Sequence, residues 1–372
     1  MISPFAAFFY AAFNPVLLFL GRWPRTRWLA AFFLPHMVLP PGSLLKIVRV
    51  AGSVLFVGGT LVFLICAGQV YSHKLLRRGP VLGGLYAWIR HPQYVALALT
   101  GLGLAILWPR FLTIVLWVVM VGIYYLLARD EERRMVSQFS DQYKAYMART
   151  GMFFPRQLEP TLGRLPFAKS PVLRPLLGFA LLTVAAVGGA FALRAYTVAH
   201  LPLWSKEGVS AISILPGDAA MLDHRMGSVL ELPDVRSRLA KAPGPILVYL
   251  VPTQYIMQGM IADTSAQFRL YEHHQTLAMI MDWILHPFRH LQGGHMMMHH
   301  DTGAQATGAV RRLIFLRIDA AMTSQTRASL FAINATRTPL FFADVDMHTL
   351  ALLGLKDLGP GTGWGRVPTP MF

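Results

Sequence analysis

The first acidic side chain in this sequence is Asp130. Ahead of it, long apolar runs alternate with short clusters of Lys and Arg, the pattern of a polytopic membrane bundle. Over 372 residues the net charge is +16, yet residues 1–199 hold 20 Lys and Arg against 5 Asp and Glu, while residues 200–372 hold 14 against 13. The basic excess is therefore N-terminal and interleaved with apolar segments, which makes it an orientation signal and not a nucleic-acid footprint. With 54% hydrophobic and only 14% charged residues, disorder is excluded and an ordinary soluble enzyme is disfavoured. The single cysteine, Cys66, lies inside an apolar run and offers neither a disulfide within one chain nor a cysteine-based metal site. The opening residues MISPFAAFFYAAF lack a basic n-region and a clean cleavage site, so they are expected to persist as a helix.

A hydrocarbon core about 30 Å thick needs roughly 20 apolar residues per helix. Segments 5–20, 28–39, 50–71, 94–108, 111–128 and 173–198 are the candidates, giving an all-α polytopic membrane domain of five or six transmembrane helices over residues 1–199. The count turns on 28–39, which is short and carries Pro35 and His36. Pro109-Arg110 between two apolar stretches predicts a tight helical hairpin, because proline ends one helix and starts the next. If all six segments cross, the loops at 22–27, 73–90 and 129–174 share one side and carry 16 of the 20 basic residues, leaving Lys46, Arg49, Arg110 and Arg194 opposite. The positive-inside rule then places the first group in the cytoplasm and everything after Leu201 on the other face, as in a bacterial inner membrane.

Chemistry concentrates in two stretches. Gly84-Leu85-Tyr86-Ala87-Trp88-Ile89-Arg90-His91-Pro92-Gln93-Tyr94 stands before an apolar helix whose proline-started N-terminus, with its free N–H groups, attracts anions. Arg90 adds a fixed charge there, although Arg90 and His91 could equally anchor the helix at the headgroups. The second stretch, Arg129-Asp130-Glu131-Glu132-Arg133-Arg134, is followed by Phe139, Tyr143 and Tyr146, which on a continuing helix share one face with Glu132. The hairpin returns this acidic group to the end bearing Arg90 and His91. Such a site suits a zwitterion with a carboxylate, an amine and a ribose; the plain alternative is a solvated helix end with weak surface pairs.

These residues carry a resemblance. The run from Gly84 to Tyr94, the hairpin, Glu131-Glu132 and the tail through Phe154-Pro155-Arg156 resemble the core of the integral-membrane methyltransferases related to isoprenylcysteine carboxyl methyltransferase and phospholipid N-methyltransferase. That family reads approximately Gly-x-Tyr-x-x-x-Arg-His-Pro-x-Tyr, a hairpin, then Glu-Glu-Arg and Tyr-x-x-Tyr, and the match covers residues 79–156. The stretch Gly79-Pro80-Val81-Leu82-Gly83-Gly84 departs from it, being looser than the family's turn before the tyrosine. The resemblance implies S-adenosylmethionine as cofactor, with Tyr86, Arg90, His91, Pro92, Tyr94 and Tyr143 lining its pocket and Glu131 or Glu132 holding its polar groups. Arg90, His91 and Glu132 are the implied catalytic residues.

Residues 200–372 differ: charges balance, and ten of 13 histidines and 12 of 18 methionines fall here. Runs at 209–215, 246–251, 313–318 and 340–345 predict strands and 266–285 a helix, so a small extramembrane α+β or α/β domain is expected. No family resemblance is drawn for it. His286, His290, His295, His299 and His300, among Met296–Met298, could hold copper or zinc, or could form a polar glycine-flanked loop. The shared Trp-Ile-x-His-Pro of 88–92 and 283–287 is attributed to chance.

The expected function is methyl transfer from S-adenosylmethionine to a lipophilic substrate, a phospholipid or lipid amine or a prenylated or lipophilic carboxylate. The alternative is a non-catalytic methyltransferase-like scaffold whose outer domain binds a metal, lipid or protein partner. A transporter is weaker, since no charged relay occupies the apolar segments. No nucleic-acid partner is expected.

Overall fold

Four apolar helices follow one another between residues 42 and 200 in the computed structural model, which describes residues 16–34, 42–158, 173–253, 258, 261–262, 281, 285–286, 309–319, 326–333 and 335–359. The first, α1 (Ser43–Leu75), buries Leu45, Gly52, Gly59 and Cys66, a strict seven-residue recurrence. That face lies against α2 (Pro92–Leu107) at backbone distance: a Cβ added at Gly59 would come within 2.6 Å of Thr100 Oγ1 and 2.8 Å of the Ala96 carbonyl. One added at Gly103 would stand 2.6 Å from the Gly52 carbonyl. Small residues let two helices approach this closely where lipid supplies no hydrophobic drive.

The expected hairpin is present. Helix α2 ends at Leu107, Thr113 Oγ1 donates to the Trp108 carbonyl at 2.9 Å, and α3 (Phe111–Arg149) begins two residues past the proline. Helix α3 does not continue straight: Ser140, at φ 39° and ψ −115°, breaks it. The single face drawn through Glu132, Phe139, Tyr143 and Tyr146 is thereby cut into two, a correction to the continuing-helix expectation. Helix α4 (Leu173–His200) completes the set. Among the described residues, three helices are long and apolar enough to cross a membrane, Ser43–Leu75, Phe111–Arg149 and Pro175–His200, and Pro92–Leu107 is a shorter apolar one.

The segment at 28–39 is not a span in its described part. Its helix is one turn, Arg27–Ala30, after which Ala31 is extended at φ −72° and ψ 159°. A helix carried through Pro35 would set the proline ring against the carbonyl of Ala31, four residues earlier, so it stops before that contact. Residues Ala30 to Leu34 are buried. The expected span at 5–20 lies outside the described residues up to 15; residues 16–22 are helical.

The chain forms two compact units, Gly42–Arg194 and a second that takes in everything from Ala195 together with the segment before Gly42. The second is built on a six-stranded sheet in sequential order: β1 (Trp204–Lys206), β2 (Val209–Ser213), β3 (Ile246–Pro252), β4 (Val310–Asp319), β5 (Thr336–Asp346) and β6 (Leu352–Asp357). Among the described residues only β2 and β3 pair in parallel, joined by α5 (Ala219–Leu230) and α6 (Pro233–Ala240); every other strand pair is antiparallel. Alternate residues of β3 enter opposite cores, Val248 and Leu250 beside Leu222 and Met226 of α5, and Leu247 and Tyr249 beside Val198, Leu330 and Phe331. A sheet buried on both faces explains why its strands read as continuous apolar runs. All four strands expected from sequence are present; the helix expected at 266–285 lies outside the described residues except at Met281 and Leu285.

Candidate active site

Between α1 and α2 the chain turns through Gly79 and Gly84, at φ +78° and +63°, a left-handed region that glycine adopts without steric cost. One 3₁₀ turn, Gly84–Ala87, then carries Tyr86 inward, and the stretch before α2 lies along the chain that emerges from α3. Ile89 bridges Gly151, the Arg90 N–H donates to the Gly151 carbonyl at 2.8 Å, and the His91 N–H donates to Met152 at 3.2 Å. Tyr146 Oη donates to the Tyr86 carbonyl at 2.6 Å. The bend at Ser140 makes this possible by directing the end of α3 along the motif.

Arg90 sits inside that junction. Its Nε donates to Glu132 Oε1 at 2.5 Å, and its Nη1 donates to the carbonyls of Met147, at 3.3 Å, and Thr150. Both charged side chains are nearly buried, at 8% and 11% exposure, so each needs the other.

His91, the N-cap residue of α2 with Pro92 at the first helical position, is buried between two carboxylates. Nδ1 is 3.4 Å from Glu131 Oε2 and Nε2 is 3.4 Å from Glu132 Oε1, close enough for ion pairing but not aligned as hydrogen bonds. Burial works against a charged ring, but the pair of glutamates outweighs it and holds the imidazole pKa above its ordinary value. Tyr94 Oη donates to Glu131 Oε1 at 2.5 Å. Its ring stacks on His91 at 5.6 Å and on Tyr124 at 5.1 Å, and Phe153 lies 6.0 Å from His91. Tyr143 is buried beside Tyr146, with ring centroids 5.5 Å apart. Burial pushes the Tyr86 phenol pKa up, and nearby Cys66 and Glu131 push it further.

Tyr86, Arg90, His91, Pro92, Tyr94, Glu131, Glu132 and Tyr143 all belong to the Gly42–Arg194 unit. Glu131 and Glu132 divide their work: Glu132 closes on Arg90, while Glu131, at 45% side-chain exposure, meets Tyr94 and His91. Sequence reasoning missed Tyr124, Phe153 and the carbonyls of Met147, Thr150, Gly151 and Met152. Tyr124 precedes Glu131 by seven residues on α3, a period that could have exposed it. Of the proposed metal ligands, His286 is exposed, while His290, His295, His299 and His300 lie outside the described residues. Among the described residues, no group of three or more His, Cys, Asp or Glu could hold a metal ion.

Residues 47–142 match the family model described as phospholipid methyltransferase. Over 86 residues the chain is 33% identical to protein-S-isoprenylcysteine O-methyltransferase of Schizosaccharomyces pombe, covering 22% of this chain and 36% of that protein. The chain thus spans well under two thirds of the curated relative it matches. No solved structure matches. The resemblance carried by residues 79–156 is borne out, and the segment that bears it runs from α1 into the second half of α3.

Proposed function

We propose that the chain is an integral-membrane methyltransferase that uses S-adenosylmethionine to methylate a lipophilic substrate, either a phospholipid or lipid amine or a prenylated or otherwise lipophilic carboxylate. The observation that carries this reading is the junction of Arg90, His91 and Tyr94 with Glu131 and Glu132, inside the segment that matches the methyltransferase family model.

The residues present fit the cofactor. Carboxylate oxygens of Glu131 suit amine and hydroxyl donors, and stacked aromatic faces suit a sulfonium cation. When bound, S-adenosylmethionine supplies an electrophilic methyl group. The protein's task is then alignment and exclusion of water. Arg90 fixes Glu132 and the 147–152 backbone in register, and His91 and Tyr94 present their rings beside the carboxylates. With an amine acceptor, the departing proton goes to one of the two glutamates or to His91 in its neutral form; a carboxylate acceptor needs no base. Exposed apolar side chains on α1 and α3, such as Ile65 and Leu126, suit a substrate arriving through lipid. The positive-inside rule applied to the basic loops favours a site at the cytoplasmic end of the helices.

Calorimetry of the detergent-purified full chain with S-adenosylmethionine tests the reading. The unmodified protein binds, and Arg90→Ala and Glu132→Ala each weaken binding by about 10-fold or more. No binding by the unmodified protein overturns it.

A further inference from the structure

The heptad face of α1 does not end with its glycines. Beyond Cys66 it continues through Gln69 and His73, three and seven residues on, where the helix leaves its apolar part. The Gln69 amide reaches the turn before Tyr86: a Cβ added at Gly84 would lie 2.8 Å from Gln69 Nε2. Tyr86, two residues further, is close enough to Cys66 and Glu131 to feel their charge. Gln69 Oε1, His73 Nδ1 and Tyr86 Oη are all buried atoms without a hydrogen-bond partner among the described residues, and Tyr86 as a whole is 4% exposed.

A buried polar atom left unsatisfied is costly, so three on one helix face and its adjoining turn mark a place for a ligand. The amide oxygen can only accept, whereas the imidazole nitrogen and the phenol can each accept or donate, so Gln69 Oε1 is the atom that selects the ligand. A carboxylate, itself acceptor-only, would set oxygen against oxygen at Gln69. An amine brings two or three donors. Glu131 near Tyr86 adds negative potential, which favours a cationic head group. Exposed Lys74, Arg77 and Arg78 follow His73 directly and suit a phosphate, while Leu64, Ile65 and Tyr71 present apolar surface along the same stretch of α1.

We propose that Gln69, His73 and Tyr86 bind the amine head group of a lipid. The assignment rests on the methyltransferase reading and chooses between its two substrate classes.

Short-chain phosphatidylethanolamine is titrated calorimetrically into the detergent-purified full chain, with phosphatidic acid of the same tails, N-acetyl-S-farnesylcysteine and free ethanolamine as comparison probes. S-adenosylmethionine is titrated into the same samples. The amine lipid binds at least about 10-fold tighter than the three other probes. Gln69→Leu and Tyr86→Phe each weaken it by about 10-fold, and Gln69→Leu keeps the affinity for S-adenosylmethionine, which also shows that the variant is folded. Equal binding of phosphatidic acid, tighter binding of the carboxylate, or amine binding unaltered in both variants overturns the head-group assignment while cofactor binding preserves the methyltransferase reading. Ethanolamine binding as tightly as the lipid overturns the lipid as the source of the amine. Cofactor binding absent from the unmodified protein overturns the methyltransferase reading and this assignment with it.

Discussion

Arg90 spends its guanidinium on Glu132 and on two carbonyls from the far end of α3, so its first role is to hold the junction in place. Arg90→Ala strands a buried carboxylate and two acceptors, and about 3 kcal/mol of stability is lost. The Arg90→Ala/Glu132→Ala pair loses less than the sum of its single variants, because the second change removes the charge that the first left unpaired. Additive losses in thermal unfolding of the detergent-solubilised protein would show that the pair is not coupled. At His91 the pKa is raised in the folded state by Glu131 and Glu132, with Tyr94 and Phe153 as uncharged neighbours. The sign follows: its stabilisation is fully present below the ordinary imidazole value of about 6.5 and is lost as pH rises through the raised native value. The Tm difference between the unmodified protein and His91→Phe therefore shrinks from pH 6 to pH 9, and a difference that stays constant or grows rules out the charged ring. Arg90, His91 and both glutamates were legible in the sequence because buried charge beside an apolar run is costly and needs an explanation. That Arg90 is sealed by backbone carbonyls was not, since carbonyls are the same at every position.

At the scale of elements, the closeness of α1 and α2 comes from the seven-residue recurrence of Gly52, Gly59 and Cys66. Adjacent glycines on α1 allow a matched comparison. A Cβ at Gly59 meets the Ala96 carbonyl and the Thr100 nitrogen, both backbone, each at 2.8 Å; a Cβ at Gly58 meets nothing within 4 Å. Gly59→Ala thus forces the helices apart and costs about 1–3 kcal/mol, whereas Gly58→Ala is neutral or gains up to about 1 kcal/mol from helix propensity. Equal Tm changes for the two would place the helix contact elsewhere. The hairpin was legible because Pro109 has one local meaning; segment 28–39 reads only as a short candidate span carrying Pro35, and its interruption after Ala30 was not foreseen. The break at Ser140 was not legible: neither glycine nor proline marks it, and it goes with the long-range return of 150–152 to Ile89, Arg90 and His91.

For the whole molecule, each of the two compact units has its own buried ion pair, and the sheet unit packs a core on either face of its sheet. In the sheet unit, Arg311 donates from Nε and Nη2 to the two oxygens of Asp218 at 3.0 and 3.1 Å, both side chains at 5% exposure or less. Ser213 Oγ adds a bond to Asp218 Oδ2 at 2.8 Å, which ties the end of β2 through the turn before α5 to β4. The sequence disclosed the four strands through their apolar runs, but Asp218 and Arg311 stand 93 residues apart and nothing local links them. Removing the carboxylate leaves a buried guanidinium uncompensated, so Asp218→Ala costs the sheet unit about 3 kcal/mol. Chains with more than one core unfold in more than one step, and a ligand raises only the transition of the unit that binds it. Scanning calorimetry of the full chain should therefore show two transitions: Asp218→Ala lowers one, and S-adenosylmethionine raises the other, in which Arg90, His91 and Glu132 unfold. If Asp218→Ala shifts both by the same amount, the molecule unfolds as one cooperative body, and its site stability has to be argued from the sheet as well as from the hairpin.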